Sequence, residues 1–218
     1  MYASTEELTA YARVVAAHDG LYVSHIRDEA AHLEDAVAEL IDIARTSTSR
    51  AQVWHLKASG RDNWPRMSEA IRLIEEARAE GLHITADVYP YEAGGTSLAA
   101  SIPPWHFDGG EQALLRRIAD PITRATIISD IRMPDGSWEN IYLDAGGAEG
   151  VLLQGGRGRN AETAGRTLAQ VTADRGASEP LEVLLDLVAE DPDTEALYFC
   201  MSEHNIDLAC SGSGWACA

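Results

Sequence analysis

The chain contains few cysteines and no long apolar segment. Only three of its 218 residues are cysteine, at positions 200, 210 and 217. They form no CxxC pair and their number is odd, which does not suggest a disulfide framework, so a reducing cytoplasm is the expected location. No apolar run approaches the length of a membrane span, and residues 1–8 lack the basic start and the apolar core of a signal peptide.

Basic residues are also scarce. The chain has 17 Lys and Arg against 35 Asp and Glu, which gives a formal net charge of −18. A charge of this sign and size argues against binding to nucleic acid or to an anionic membrane surface. Part of it lies in helix-like stretches such as 75–80, where it indicates a solvated outer face. The acidity by itself therefore identifies no partner.

The first 90 residues alternate between two hydrophobic patterns. Apolar residues at helical spacing are followed by short apolar runs, and this beat occurs three times. Helix–strand alternation of this kind predicts a parallel sheet with right-handed crossovers, in which the strands are buried. The predicted helices cover 4–18, 29–45 and 65–80, and the predicted strands cover 21–25, 51–55 and 82–88.

After residue 91 the beat breaks. A loop rich in glycine and proline comes first, and shorter elements of both kinds follow it. The predicted order is a loop at 92–110, helices at 111–118 and 121–131, strands at 138–143 and 149–153, a flexible turn at 155–160, helices at 165–175 and 179–189, a strand at 196–200, and a helix after Ser202.

Two histidines stand at matching places in the repeat. His25 ends the run LYVSH and His55 ends the run AQVWH. The carboxyl ends of neighbouring parallel strands meet at one rim, where (β/α) barrels build their sites. Two imidazoles at this rim can share one metal ion, with zinc as a suitable ion. Each histidine can equally be a hydrogen-bonded structural residue, and the spacing alone leaves both interpretations open.

Charged and phenolic side chains follow the same strands. Arg27 and Lys57 each lie two residues after a histidine, where a cation suits an anionic group of a substrate such as a carboxylate. Both can also be ordinary solvated loop charges. The third strand ends in Asp87 and Tyr89, which places a carboxylate and a phenol at the next position round the rim.

Longer motifs around these residues resemble the N-acyl-D-amino-acid deacylases, or D-aminoacylases, of the amidohydrolase superfamily. The resemblance lies in GLYVSHIRDE at 20–29, HLKASG at 55–60 and DVYPYEAGGT at 87–96. It continues through PPW at 103–105, WENIYL at 138–143, GRTL at 165–168 and YFCMSE at 198–203. The resemblance therefore extends over nearly the whole chain.

The resemblance implies an α/β fold, namely a partial TIM (β/α)8 barrel of the metal-dependent hydrolase type with an α+β lid insertion. Barrel strands five to seven would lie in 1–91, the lid in 92–195, and the last helix with the region of strand eight in 196–218. On this interpretation the chain is an interior fragment that enters the barrel partway through. A half-barrel of this kind would have open sheet edges, through which self-association is expected.

The resemblance also implies a site. His25 and His55 correspond to the family's zinc ligands, and Lys57 and Tyr89 to its substrate-binding residues. Arg27 is expected to bind the substrate as well, because of its offset from His25. No catalytic residue is assigned, because the family's aspartate after strand eight has no counterpart in the tail at 211–215. The family's His-x-His motif and bridging cysteine are also without counterparts. Zinc is therefore expected to bind weakly, since catalytic sites usually supply three protein ligands.

Two functions follow as expectations. The first is zinc-dependent hydrolysis of the amide of small N-acyl-D-amino acids, a hydrolase reaction at a linear amide, with weak or no activity for this chain alone. The second is a non-catalytic half-barrel module that binds small carboxylates or a complementing partner chain. The first predicts that the two histidines hold zinc, and the second predicts stable association.

Overall fold

A computed structural model describes residues 3–211, except for the side chain of Arg159. Contacts divide the chain into two compact units, the first formed by Met1–Tyr91 with Met201–Ala218 and the second by Glu92–Cys200. None of the helices in the described part of the chain combines the length and the apolar composition that a bilayer crossing needs.

The first unit is built on a three-stranded parallel sheet whose strands lie side by side in chain order. A helix precedes each strand, as the alternation predicts. A 3-10 helix at Arg61–Arg66 comes directly before the third of these helices. The elements in chain order are α1 (Thr5–Ala17), β1 (Leu21–Ser24), α2 (Leu33–Ser47), β2 (Arg50–Val53), α3 (Met67–Ala79) and β3 (Ile84–Ala86).

Local signals in the sequence explain several of these boundaries. The Ser4 hydroxyl accepts a hydrogen bond from the backbone N–H of Glu7 at 3.3 Å and so caps α1. Gly81, just after α3, has a φ of +95°, a conformation that glycine adopts without steric cost. Apolar residues spaced three and four apart on α2, including Val37, Leu40 and Ile41, are buried in the core.

The expectation that both histidine-bearing strands are buried is correct for only one of them. In β2, Ala51 and Val53 are fully buried. In β1, however, Leu21 is 44% exposed and Val23 is 42% exposed. The reason is position in the sheet, because β1 is an edge strand in the described part of the sheet whereas β2 lies between two neighbours.

The second unit contains a four-stranded antiparallel sheet whose strands, from one edge to the other, are β4 (Gly94–Ser97), β7 (Glu195–Tyr198), β5 (Val151–Gly155) and β6 (Arg166–Thr167). Its core includes Tyr198, whose hydroxyl lies 2.9 Å from the hydroxyl of Ser101. The elements are β4 (Gly94–Ser97), α4 (Glu111–Ala119), α5 (Pro121–Arg132), α6 (Ile141–Asp144), β5 (Val151–Gly155), β6 (Arg166–Thr167), α7 (Leu168–Asp174), α8 (Pro180–Glu190) and β7 (Glu195–Tyr198).

Three sequence predictions in this unit are corrected by the structure. The stretch 138–143 is not a strand: Asn140 caps the short helix α6 by accepting from the backbone N–H of Leu143 at 3.1 Å. The loop predicted at 92–110 contains β4, whose two glycines pair with β7. The turn predicted at 155–160 runs into a 3-10 helix at Gly158–Thr163. In the first two cases a capping side chain or tertiary pairing overrides local composition.

The last described helix, α9 (Glu203–Cys210), returns to the first unit. The side-chain amide of Asn205 donates to the backbone carbonyl of Trp64 at 2.9 Å, and Ala209 belongs to the apolar core of that unit. The strand β7 pairs within the sheet of the second unit, although the sequence grouped it with 196–218. The expectation of a missing aspartate depends on the tail at 211–215, and residues 212–218, which include Cys217, lie outside the described residues.

Candidate metal centre

The two predicted histidines meet beyond the carboxyl ends of β1 and β2. The Nδ1 atom of His25 lies 3.3 Å from Nε2 of His55, and the two rings are inclined at 62°. Two nitrogens bound to one tetrahedral zinc at about 2.0–2.1 Å are themselves about 3.3–3.4 Å apart. The spacing therefore fits a shared zinc ion, and imidazole is a donor that zinc prefers.

A buried carboxylate completes the group. Glu29, four residues after His25, is 4% exposed, and its Oε1 lies 2.9 Å from Nδ1 of His55 and 3.6 Å from Nδ1 of His25. Among the described residues, His25, Glu29 and His55 form the one set of three such side chains close enough to hold a metal ion.

Lys57 is the fourth member. Its Nζ lies 2.6 Å from each carboxylate oxygen of Glu29 and 2.7 Å from Nδ1 of His55. Its ammonium group also lies 5.6 Å from the centre of the Tyr89 ring. We call His25, Glu29, His55 and Lys57 the polar cluster. A second cation cannot share the Nδ1 side of His55 with this ammonium group, so a metal ion fits only on the Nε2 side.

The backbone around His55 is held in an uncommon conformation. His55 has a φ of +45°, in the left-handed region that residues other than glycine rarely adopt. Its backbone N–H donates to Oδ1 of Asp87 at 2.6 Å, and the next residue, Leu56, donates to the Asp87 carbonyl at 2.8 Å. The Asp87 carboxylate also accepts from the side chain of Gln52. Asp87 thus fixes the turn that aims His55 at His25.

Electrostatics within the polar cluster keep Glu29 ionised. Burial opposes the charged carboxylate, but its interactions with His55, Lys57 and His25 outweigh this effect, so the pKa of Glu29 lies below its ordinary value. The pKa of His25 is also lowered, chiefly by partial burial of its ring, while Glu29 opposes this effect and His55 and Lys57 add to it. A neutral His25 has a lone pair to offer a metal ion.

The structure does not bring every predicted residue into this group. Arg27 turns away, and its guanidinium donates to both carboxylate oxygens of Glu39 at 2.8 Å and to the Ala3 carbonyl at 3.1 Å. This geometry does not favour a substrate-binding role for Arg27. Tyr89 lies nearby, with its ring centre 6.4 Å from that of His55 and its hydroxyl 3.5 Å from the sulfur of Met201.

Sequence analysis assigned no role to two residues of this site. Glu29 is one, and a usable signal was its place four residues after a histidine and among apolar positions such as Ile26, Ala30 and Leu33, where a carboxylate needs buried partners. Asp87 is the other, and the positive φ that it supports at His55 has no sequence signal that we can identify.

The chain is 38% identical over 96 residues to a D-aminoacylase of Alcaligenes xylosoxydans xylosoxydans, covering 44% of this chain and 20% of that protein. It is 30% identical over 181 residues to an N-acyl-D-glutamate deacylase of the same organism, covering 83% of this chain and 32% of that protein. The resemblance to N-acyl-D-amino-acid deacylases is confirmed.

Solved structures agree with this result. The N-acyl-D-glutamate deacylase of Bordetella bronchiseptica, solved with zinc and a phosphonate mimic of the tetrahedral intermediate, matches 99% of this chain and 35% of its own with a TM-score of 0.71 at 23% identity, which shows the fold. A D-aminoacylase studied for its binuclear metal centre matches 95% of this chain and 33% of its own with a TM-score of 0.62 at 26% identity. No family model matches the chain.

The match covers only part of each relative. The chain spans about a third or less of the length of these curated relatives. The relatives are enzymes that remove acyl groups, and those studied in crystals bind metal.

Proposed function

We propose that the chain is a zinc-dependent amidohydrolase module for N-acyl-D-amino acids. The observation that carries the proposal is the 3.3 Å separation of Nδ1 of His25 and Nε2 of His55, with the ammonium group of Lys57 beside them. The first unit would form part of a (β/α)8 barrel, and 92–195 would be its lid. Both assignments are supported by the order of helices and strands and by the fold of the relatives.

In this proposal each side chain has a distinct task. His25 and His55 hold zinc, which when bound supplies Lewis acidity to the amide carbonyl. Lys57 binds the carboxylate of the N-acyl amino acid through its ammonium group. In the absence of substrate, the carboxylate of Glu29 pairs with this ammonium group. Tyr89 lies against the same ammonium group and would border the bound amino acid.

We expect the chain alone to bind zinc weakly and to be a poor catalyst. The polar cluster offers two imidazoles, while its carboxylate is already paired with Lys57 at 2.6 Å. Catalytic zinc sites usually have three protein ligands and an open position. We assign no general base to the described residues of the cluster.

The test is ligand binding to the zinc-loaded chain by isothermal titration calorimetry. N-acetyl-D-glutamate, N-acetyl-D-aspartate and N-acetyl-D-leucine would be compared with their L-enantiomers, and free amino acid would be assayed in parallel. The proposal expects binding that favours D-enantiomers and is lost in His55→Ala and Lys57→Ala. Binding that ignores both substitutions would contradict it, and rapid release of amino acid abolished by His55→Ala would refute the expected weak activity.

One observation favours a second candidate, a non-catalytic module that associates with a partner or with itself. The strand β1, which has a neighbour on one side only in the described part of the sheet, exposes Leu21 and Val23 at 44% and 42%. Exposed apolar edges of this kind favour association. Analytical ultracentrifugation separates the cases: a concentration-dependent oligomer weakened by Val23→Lys supports the module, and a monomer at all concentrations counts against it.

A further inference from the structure

Nδ1 of His55 has two competing partners. Oε1 of Glu29, an acceptor, lies 2.9 Å away, and Nζ of Lys57, a donor, lies 2.7 Å away. A neutral imidazole carries one N–H, so Nδ1 can donate to the carboxylate or accept from the ammonium group, and it cannot do both. The choice at Nδ1 determines what remains at Nε2.

The two choices have opposite consequences for a metal ion. If Nδ1 keeps the proton and donates to Glu29, Nε2 presents a lone pair toward His25. If Nδ1 accepts from Lys57, the proton sits on Nε2 and points at Nδ1 of His25, 3.3 Å away. In the second arrangement Nε2 of His55 has no lone pair, and its N–H occupies the Nδ1 lone pair of His25, so neither nitrogen is available to a metal ion.

We propose that Glu29 and Lys57 are opposing positioning residues on His55: Glu29 holds the tautomer that can bind zinc, and Lys57 holds the tautomer that cannot. The exchange moves one proton, through water, between the two nitrogens of a neutral ring and changes no net charge. The inference deepens the proposed function, because zinc is the group that would use Nε2.

The geometry supports a positioning role for Glu29 over a role as a third ligand. Its Oε1 lies closer to Nδ1 of His55, at 2.9 Å, than to Nδ1 of His25, at 3.6 Å. Both of its oxygens also lie 2.6 Å from Lys57, so direct ligation would require this ion pair to break. A carboxylate that accepts from the distal nitrogen of a zinc-binding histidine is a recurrent arrangement in metal sites.

The decisive experiment reads the tautomer in the metal-free full chain. Two-bond nitrogen–proton correlation spectra of the 15N-labelled protein separate the two tautomers, and His55→Gln assigns the His55 ring. Wild type is expected between the two limiting patterns. Glu29→Gln should move His55 toward the Nε2–H pattern, and Lys57→Met should move it toward the Nδ1–H pattern.

A matched control is Glu39→Gln, which removes a carboxylate of the same unit that is paired with Arg27 and not with a histidine. It should leave the His55 pattern unchanged. If Glu29→Gln and Lys57→Met shift the pattern in the same direction, or if neither shifts it, the proposal is wrong. Should circular dichroism show that Glu29→Gln does not fold, the shift in Lys57→Met decides the question alone.

Zinc affinity provides a second measurement. Loss of a partner behind a metal-binding histidine typically costs about 10–100-fold in affinity, so Glu29→Gln is expected to weaken zinc binding by that amount and Lys57→Met to strengthen it. Removing charge near a cation would change affinity in the same directions, which is why the tautomer is the deciding measurement. Opposite tautomer shifts without zinc binding would leave this inference standing and contradict the proposed function instead.

Discussion

Both units contain a histidine beside a buried or half-buried carboxylate, but the two sites differ in how many partners compete. In the second unit, Nε2 of His106 lies 2.9 Å from Asp130, and the same carboxylate oxygen accepts from Trp105 at 3.2 Å. In the first unit, His55 faces a histidine, a carboxylate and an ammonium group at once.

The difference distinguishes polar side chains that stabilise a core from polar side chains that are placed to bind a ligand. The buried Tyr198 and Ser101 of the second unit satisfy each other in the way that a stable core requires. The polar cluster instead gathers more donors and acceptors than one protonation pattern can satisfy. Such competition makes sense at a place where a metal ion or a substrate will later take up one of the partners.

The largest expected effect, and the one that tests this comparison best, is on zinc affinity. His55→Ala should lower zinc affinity by more than about 100-fold, because it removes a ligand and not merely a residue behind one. His106→Ala should leave zinc affinity unchanged. Competition with a chromophoric chelator measures both, and an equal loss in the two variants would remove the distinction between the units.

The next effect concerns stability of the second unit. Tyr198→Phe should lower the free energy of unfolding by about 1 kcal/mol, since it leaves the buried Ser101 hydroxyl with one partner fewer. Ser101→Ala should cost a similar amount, and the double variant should cost less than the sum. Urea unfolding provides the three values, and full additivity would show that the two hydroxyls do not interact. Zinc affinity should not change in any of them.

Two groups of the first unit, His25 and Glu29, should make the stability of the fold depend on pH. His25 and Glu29 both have pKa values below their ordinary values of 6.5 and 4.5, so the unfolded chain takes up protons first. Stability is therefore complete above about pH 6.5 and falls as the pH drops, first through His25 and below about pH 4.5 also through Glu29. His25→Gln should flatten the fall of the urea midpoint between pH 6.5 and pH 5.

A suitable control for that series is His18→Gln, which changes an exposed histidine at the end of α1. Its urea midpoints should follow those of wild type. If His25→Gln and wild type lose stability in parallel, the lowered pKa of His25 is not a feature of the folded chain.

The smallest effect is predicted for Arg27. Arg27→Gln should leave zinc and N-acetyl-D-amino acid binding unchanged and should cost about 0.2–1 kcal/mol of stability, the usual range for a partly exposed ion pair. Lys57→Gln, in contrast, should weaken binding of the substrate carboxylate. If calorimetry finds that Arg27→Gln and Lys57→Gln weaken N-acetyl-D-amino acid binding equally, Arg27 does take part in substrate binding.

Much of the first unit could be predicted from the sequence, because hydrophobic periodicity and the positions of strand ends are local features of the chain. Helical and strand periodicity in 1–91 predicted the parallel sheet, and the strand-end positions of His25 and His55 predicted that they meet. What it did not predict depends on contacts distant in the chain. The exposure of β1 follows from its place in the sheet, and the strand β4 forms by pairing its glycines with β7.

The same limit applies within the site. Lys57 was predicted as a carboxylate ligand, but its pairing with the buried Glu29 joins residues from two different loops. Arg27, at the equivalent offset from its histidine, is captured by Glu39 on α2. Equal spacing in the sequence therefore led to different environments, because the partner side chains come from elsewhere in the unit.

The central claim is that Nδ1 of His25 and Nε2 of His55 hold one metal ion. X-ray absorption spectroscopy of the zinc-loaded chain tests it most directly. We predict two imidazole nitrogens at about 2.0–2.1 Å from zinc, with the imidazole signal reduced in His25→Ala and in His55→Ala. A zinc spectrum without imidazole scattering, or one that is the same in all three proteins, would contradict the claim.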